Sequence, residues 1–129
     1  MDKVKVGIIG TGFIGPAHIE ALRRLGFVEI VALADSNEAV AKQKAEVLHV
    51  DKYYGDYMNL LADKEIDAVH ICTPNHLHYR MAKEALLAGK HVVCEKPLAV
   101  NTEQANELVE IAREKQLVNA VHLTYDFIP

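Results

Sequence analysis

The chain has 129 residues, half of them hydrophobic and a quarter charged, with a formal net charge of -4 at neutral pH. This composition is typical of one globular domain with a sizeable apolar core. The acidic balance, with no cluster of lysine or arginine, argues against a nucleic-acid partner. No apolar run is long enough to cross a bilayer and the N-terminus does not resemble a signal peptide, so we expect a cytoplasmic protein with no membrane partner.

Strand-like and helix-like segments alternate from one end of the chain to the other. Apolar β-branched runs predict strands, and apolar residues recurring at helical spacing predict helices. The predicted strands cover residues 3–9, 28–34, 53–54, 68–73, 91–95 and 117–123, and the predicted helices cover residues 14–25, 37–48, 56–62, 76–88 and 102–115. This alternation indicates an α/β fold with a doubly wound parallel sheet, the Rossmann fold, with six strands in the order 3-2-1-4-5-6.

Three glycines follow the first predicted strand, at the point where the first helix begins. Gly10, Gly12 and Gly15 have the G-x-G-x-x-G spacing of a dinucleotide-binding turn. In that motif the first glycine permits the tight turn, the second lets the pyrophosphate approach the backbone, and the third lets the helix pack against the strand. The unpaired N–H groups at the start of the helix favour the negative phosphates.

An acidic residue ends the second predicted strand, twenty positions after Gly15. Asp35 at this point can accept hydrogen bonds from the adenine-ribose hydroxyls and would repel a 2′-phosphate. The sequence therefore predicts NAD as the cofactor, in preference to NADP. Two alternatives are a glycine-rich turn that binds nothing and a methyltransferase site. The latter would require a further glycine where Ile14 stands.

Polar residues also follow the fourth and fifth predicted strands. They read Thr73-Pro74-Asn75-His76-Leu77-His78 and Glu95-Lys96-Pro97. Because ligands bind at the carboxyl ends of parallel strands, both loops should lie beside the glycine turn. A lysine ammonium at a hydride-transfer site can polarise a carbonyl or give a proton to a developing alkoxide, so Lys96 is the candidate catalytic residue. Pro97 would stiffen the loop that carries Lys96.

The glycine turn, the Thr-Pro-Asn-x-x-His loop and Glu95-Lys96-Pro97 together resemble the N-terminal domain of the Gfo/Idh/MocA oxidoreductases, the relatives of glucose–fructose oxidoreductase and inositol dehydrogenase. The resemblance implies an NAD(P)-dependent dehydrogenase. It assigns cofactor binding to Gly10, Gly12, Phe13, Ile14, Gly15, Asp35, Thr73, Pro74, Asn75, His78, Glu95 and Lys96. It also implies that Lys96 contacts both the cofactor and the reacting hydroxyl of the substrate.

The last residues resemble the segment that crosses to a second domain in this family. Residues 1–123 would then be the dinucleotide-binding domain and residues 124–129 the start of the crossing, with Asp126 where the family usually carries arginine. The resemblance implies an absent C-terminal domain that supplies substrate contacts, further catalytic groups and a homo-oligomer interface. We therefore expect a truncated domain that is inactive alone.

Other residues allow plainer interpretations. His76 and His78 form an H-x-H pair, but no carboxylate or thiol nearby completes a metal site, so none is predicted. His70 fits a satisfied core or edge position. Tyr57 and the neighbouring tyrosines could stack on adenine, although core packing is the preferred interpretation. Cys72 and Cys94 lie in apolar runs, which predicts two buried, reduced thiols.

The function predicted from these residues is hydride transfer between nicotinamide and a secondary alcohol of a sugar, cyclitol or related polyol. The small-molecule substrate would bind in the full-length protein. The alternative is a non-catalytic NAD-binding module that senses the cofactor or assembles with a partner.

Overall fold

A computed structural model describes residues 3–10, 14–73, 75–95 and 102–122 of the chain. For residues 14–18, 75–76, 94–95 and 119–122 it describes the backbone alone. Strands and helices alternate throughout these ranges. The strands are β1 (Val4–Ile9), β2 (Val28–Ala34), β3 (Lys52–Tyr54), β4 (Ala68–Ile71), β5 (His91–Glu95) and β6 (Asn119–His122). The helices are α1 (Ile14–Arg23), α2 (Glu38–Leu48), α3 (Tyr57–Leu61), α4 (Asn75–Leu87) and α5 (Thr102–Lys115).

These strands form one parallel sheet in the order β3-β2-β1-β4-β5-β6. The order confirms the doubly wound fold predicted from the alternating pattern. Its reversal lies between β1 and β4, which pair from Val6 opposite Ala68 to Ile9 opposite Ile71. In such sheets the ligand site lies at this reversal, beyond the carboxyl ends of the strands.

The predicted bounds of β2, β5 and α5 agree with the structure, and the others differ for local reasons. The predicted first helix is too long because Arg24 and Leu25 close tighter i to i−3 turns onto Ala21 and Leu22. The predicted second helix begins one residue early because Asn37 is its N-cap: the Val40 amide donates to the Asn37 side chain at 2.9 Å. Side-chain caps of this kind satisfy amides that have no partner within the helix.

Helices cover both faces of the sheet and bury one apolar cluster on each side. Ile8 and Leu33 point to the face covered by α1 and α2, where Ile19 and Ala41 pack. Ile9 and Ile71 point to the opposite face, covered by α3, α4 and α5. Alternate strand residues thus enter different clusters, as the two-residue period of a β-strand requires.

A buried lysine joins the loop before β4 to the turn before β5. Lys90 is 6% exposed, and its ammonium donates to the carbonyl oxygens of Asp63 at 2.7 Å and Ile66 at 2.6 Å. Burial lowers the pKa of the Lys90 ammonium. The Asp63 carbonyl also accepts the Ile66 amide at 3.2 Å, so Lys90 adds a second donor there and links this turn to the Ile66 carbonyl.

The same loop carries a polar network around Asp63. Its carboxylate accepts from the Glu65 amide at 2.9 Å, from the Lys52 ammonium at 3.0 Å and from the Tyr54 hydroxyl at 2.8 Å. Burial acts to raise the pKa of the Asp63 carboxyl, but these donors outweigh it and the pKa is lowered. Asp63 is therefore held as a carboxylate below its ordinary titration range.

Candidate functional site

Four strand ends meet at the carboxyl edge of the sheet and are joined by backbone hydrogen bonds. The Gly10 amide donates to Ala34 at 2.8 Å, and the Cys72 amide donates to Ile9 at 2.8 Å. The Asp35 amide donates to Tyr54 at 3.2 Å. The residues that follow β1, β2, β3 and β4 consequently share one side of the sheet edge.

Gly10 is the first residue beyond β1, and both its backbone and its surroundings strongly favour glycine. Its φ is +83°, in the left-handed region that other residues rarely adopt. A Cβ built on Gly10 would lie 2.7 Å from Thr73 Cγ2 and 3.1 Å from the Thr73 backbone nitrogen. The missing side chain therefore lets the residue after β1 lie directly against the end of β4, which fits the first glycine of a dinucleotide-binding turn.

A cavity of about 520 Å³ opens beside Gly10. It is lined by Ile9, Gly10, Ala34, Asp35, Ser36, Gly55, Asp56, Tyr57, Cys72, Thr73, Leu77 and Met81. Apolar groups come from the strands and from α4, and the carboxylates come from the ends of β2 and β3. An apolar wall beside a polar rim is the arrangement that a nucleoside requires, because its base is flat and apolar on its faces and its ribose is polar.

Asp35 lies at the rim of the cavity, directly after the end of β2. It is half-buried, and its Oδ1 accepts the Ser36 amide at 2.7 Å. That bond fixes the carboxylate beside the cavity that it lines. A carboxylate so placed can accept hydrogen bonds from vicinal hydroxyls and would repel a phosphate at the same position.

Thr73 lines the cavity and is held from two sides. Its hydroxyl donates to the Met81 sulfur at 3.3 Å. Its carbonyl oxygen accepts a hydrogen bond from His78 Nε2, which must carry the ring proton because a carbonyl only accepts. Thr73 is therefore a fixed part of the cavity wall.

His78 does not itself line the cavity. Its side chain is fully buried within the first turns of α4. The sequence predicted that it would contact the cofactor, and the structure places it behind Thr73, where it holds the Thr73 carbonyl. Its contact with the cofactor stays a prediction.

Gly10, Asp35 and Thr73 are the predicted site residues that the structure brings together around one cavity. Ile14 and Gly15 lie in the first turn of α1, Asn75 begins α4 and Glu95 ends β5, with their side chains outside the description. The predictions for Gly12, Phe13, Pro74 and Lys96 fall outside the described residues. For all of these positions the assigned roles stay predictions.

Several cavity residues were not predicted as site residues. Leu77 and Met81 are one helical turn apart on α4, which placed them equally well in an ordinary core. Tyr57 follows β3, so the rule that ligands bind beyond strand ends could have indicated it. Cys72 was predicted to be buried within β4. It is half-exposed beyond the last residue of the strand, and it lines the cavity.

Residues 3–10, 14–73, 75–95 and 102–122 contain neither a group of metal ligands nor a helix able to cross a membrane. In those ranges no three or more His, Cys, Asp or Glu side chains are grouped so as to hold a metal ion. No helix within the same ranges has the length and apolarity required to cross a membrane.

Comparison with known proteins gives a family match over nearly the whole chain. The family described as "Oxidoreductase family, NAD-binding Rossmann fold" (GFO_IDH_MocA) matches residues 4–123. Similar curated proteins include an uncharacterized oxidoreductase of Synechocystis, 37% identical over 96% of this chain and 33% of its own length. Levoglucosan dehydrogenase of Pseudarthrobacter phenanthrenivorans is 33% identical over 100% of this chain and 35% of its own length. Myo-inositol 2-dehydrogenase of Thermotoga maritima is 31% identical over 89% of this chain and 34% of its own length.

Solved structures give the same result. An NAD binding oxidoreductase from Klebsiella pneumoniae superposes with a TM-score of 0.89 at 44% identity, over 93% of this chain and 34% of that one. Levoglucosan dehydrogenase in complex with NADH and L-sorbose superposes with a TM-score of 0.86 at 32% identity, over 92% of this chain and 34% of that one. Biliverdin reductase from Synechocystis, in complex with biliverdin and NADP+, superposes with a TM-score of 0.84 at 37% identity, over 92% of this chain and 37% of that one.

The chain spans about a third of the length of the curated relatives it matches. The matched third corresponds to the part with the NAD-binding Rossmann fold.

Proposed function

The chain belongs to the Gfo/Idh/MocA oxidoreductase family, and from this we propose that it is the cofactor-binding part of a longer NAD-dependent dehydrogenase. The substrate that we propose is a sugar, cyclitol or related polyol, oxidised at a secondary alcohol. Two curated relatives, levoglucosan dehydrogenase and myo-inositol 2-dehydrogenase, carry names of this substrate class. In this proposal residues 1–123 form the cofactor domain, and residues 124–129 begin the crossing to a second domain.

The observation that carries the proposal is the cavity between Gly10 and Asp35. Gly10 lies against Thr73 where a Cβ would clash, and Asp35 presents a fixed carboxylate on the same cavity. These features fit a dinucleotide whose adenosine end lies in the cavity. NAD fits better than NADP, because the described lining offers carboxylates but no lysine or arginine to a 2′-phosphate.

When bound, the nicotinamide ring accepts or donates the hydride. The roles proposed for this chain are binding and proton handling. The Asp35 carboxylate accepts hydrogen bonds from the ribose hydroxyls, and the amides at the start of α1 face the pyrophosphate. Gly12, Phe13, Ile14 and Gly15 belong to the same proposed phosphate turn.

We assign the proton step to Lys96, in the run Glu95-Lys96-Pro97 beyond β5. Its ammonium would hydrogen-bond the reacting hydroxyl and stabilise negative charge on that oxygen during oxidation. Pro74 and Asn75, beyond β4, would lie at the same end of the site. The supporting argument is topological, since β4 and β5 are neighbours in the sheet.

The test uses the full-length protein that carries this chain, with Lys96→Ala and the control Lys64→Ala. Lys64 is exposed in the loop before β4 and does not line the cavity. We expect Lys96→Ala to lower kcat for polyol oxidation by about a hundredfold or more, with little change in the Kd for NAD. Lys64→Ala should change neither. An unchanged kcat in Lys96→Ala would refute the role of Lys96.

The substrate class is tested on the same full-length protein with a panel of cyclitols, sugars and sugar derivatives. NAD-dependent oxidation of at least one of them is expected. Reduction of biliverdin alone would contradict the polyol proposal, since a relative of similar identity is a biliverdin reductase. NAD binding without turnover of any of these compounds would favour the non-catalytic module instead.

A further inference from the structure

One tyrosine of the cavity wall has no role in the function proposed above. Tyr57 is the first residue of α3 and lines the cavity between the end of β3 and the first turns of α4. It is half-buried and packs against the apolar cluster that contains Leu60 and Met81. Tyr57 therefore borders both the apolar core and the cavity.

The phenol hydroxyl of Tyr57 is held at its far end. It donates a hydrogen bond to Glu84, and Glu84 in turn pairs with Arg80 at 3.3 Å. Burial, followed by the hydrogen bond and the charge of Glu84, raises the pKa of Tyr57 to about 12. The hydroxyl consequently stays protonated and keeps its role as a donor, which links α3 to α4 beside the cavity.

The other residues that line the cavity indicate which part of a ligand would lie beside Tyr57. The carboxylates of Asp35 and Asp56 lie at strand ends and suit the hydroxyls of a ribose. Leu77 and Met81 form the apolar wall on α4. An aromatic ring beside an apolar wall is suited to a flat heteroaromatic base, which is attracted to a ring face or edge.

We infer that Tyr57 is a binding residue for the purine base of the cofactor, and that Glu84 is a positioning residue that fixes its ring. The inference rests on the proposed function, since it assumes that the cavity takes the adenosine end of NAD. It assigns base recognition to α3 and α4, apart from the ribose contact of Asp35.

A second tyrosine of the same chain is a matched control. Tyr54 is also half-buried, packs against the same apolar cluster and donates its hydroxyl to a carboxylate, that of Asp63 at 2.8 Å. Tyr54 does not line the cavity. Equivalent substitutions at the two positions therefore cost comparable packing, and only the change at Tyr57 should alter base binding.

The experiment is calorimetric titration of the 129-residue chain, unchanged and as Tyr57→Leu and Tyr54→Leu, with NAD, AMP and nicotinamide mononucleotide. We expect Tyr57→Leu to weaken NAD and AMP by about tenfold, a typical contribution of base–aromatic stacking. Nicotinamide mononucleotide lacks the purine and should bind Tyr57→Leu and the unchanged chain alike. Tyr54→Leu should leave all three affinities within about twofold.

A spectroscopic measurement separates base contact from a structural effect. The chain has five tyrosines and no tryptophan, so its near-ultraviolet emission comes from tyrosine alone. Stacking of adenine on Tyr57 should quench up to about one fifth of that emission on addition of AMP, since one ring of five is contacted. Tyr57→Phe keeps the ring, so AMP should still bind within about threefold while the quenching disappears. This conservative variant also serves if Tyr57→Leu does not fold.

The outcomes distinguish the inference from the proposal on which it rests. If the unchanged chain binds neither NAD nor AMP, the proposed site is wrong and the role of Tyr57 is refuted with it. If NAD and AMP bind, but Tyr57→Leu and Tyr54→Leu have the same affinity for AMP, the inference alone is refuted. Quenching that persists in Tyr57→Phe would refute it as well.

Discussion

Replacing Gly10 by alanine should destabilise the protein more than the same change at Gly89. Both glycines have positive φ, +83° at Gly10 and +84° at Gly89, so alanine carries the same backbone penalty at each, about 1 kcal/mol. The gain from a less flexible unfolded chain is also common to both. The two positions differ only in what the new methyl group would contact.

The added methyl has open space at Gly89 and none at Gly10. Nothing lies within 4 Å of a Cβ at Gly89, whereas a Cβ at Gly10 would lie 2.7 Å from Thr73 Cγ2 and 3.2 Å from the carbonyl carbon of Cys72. Thr73 cannot yield easily, because Met81 and His78 hold it. Overpacking of this kind costs about 1–3 kcal/mol. Gly10→Ala should therefore cost roughly 2–4 kcal/mol in total, against about 1 kcal/mol for Gly89→Ala.

Urea unfolding followed by circular dichroism measures both losses. The midpoint should fall further for Gly10→Ala, with the slope against urea unchanged in both variants. Equal losses in the two variants would refute the reasoning, because the contact with Thr73 would then contribute nothing. A change of slope in Gly10→Ala alone would point to a different folded state rather than to strain at the turn.

Two further predictions concern the polar groups of the loop between α3 and β4. Lys90→Met keeps the length of the side chain but removes the ammonium that donates to the carbonyls of Asp63 and Ile66, so it should lower the free energy of unfolding by about 2 kcal/mol in urea. A loss below about 0.5 kcal/mol would contradict the role given to the ammonium. Because the folded-state pKa of Asp63 is lowered, its stabilisation is present above about pH 4 and is lost as the pH falls through the folded value. Asp63→Asn should therefore show a shallower fall of Tm between about pH 4 and pH 2 than the unchanged protein, and parallel curves would count against that account.

The sheet order could be predicted because each strand is a short apolar run separated from the next by a helix-like pattern. Parallel strands joined by right-handed crossovers leave few possible arrangements, and the observed order is the predicted one. Helix ends were less predictable. Whether Asn37 caps α2 or begins it depends on a backbone conformation that the sequence pattern does not specify.

The site was predictable to the extent that strand ends determine it. Gly10, Asp35 and Thr73 each follow a strand, and they line one cavity. Met81 was not predictable, because its side chain reaches the cavity from the second turn of α4, where helical spacing indicates only a core position. The position of the His78 ring was also not predictable from its motif. The motif is associated with the cofactor, whereas the structure buries the ring behind Thr73.

We propose that this chain binds NAD in the cavity between Gly10 and Asp35. Calorimetric titration of the 129-residue protein with NAD and, separately, with NADP tests it most directly. We predict binding of NAD, and binding of NADP weaker by about tenfold or more because the Asp35 carboxylate repels the 2′-phosphate. Equal binding of the two would contradict the role of Asp35, and binding of neither would contradict the site itself.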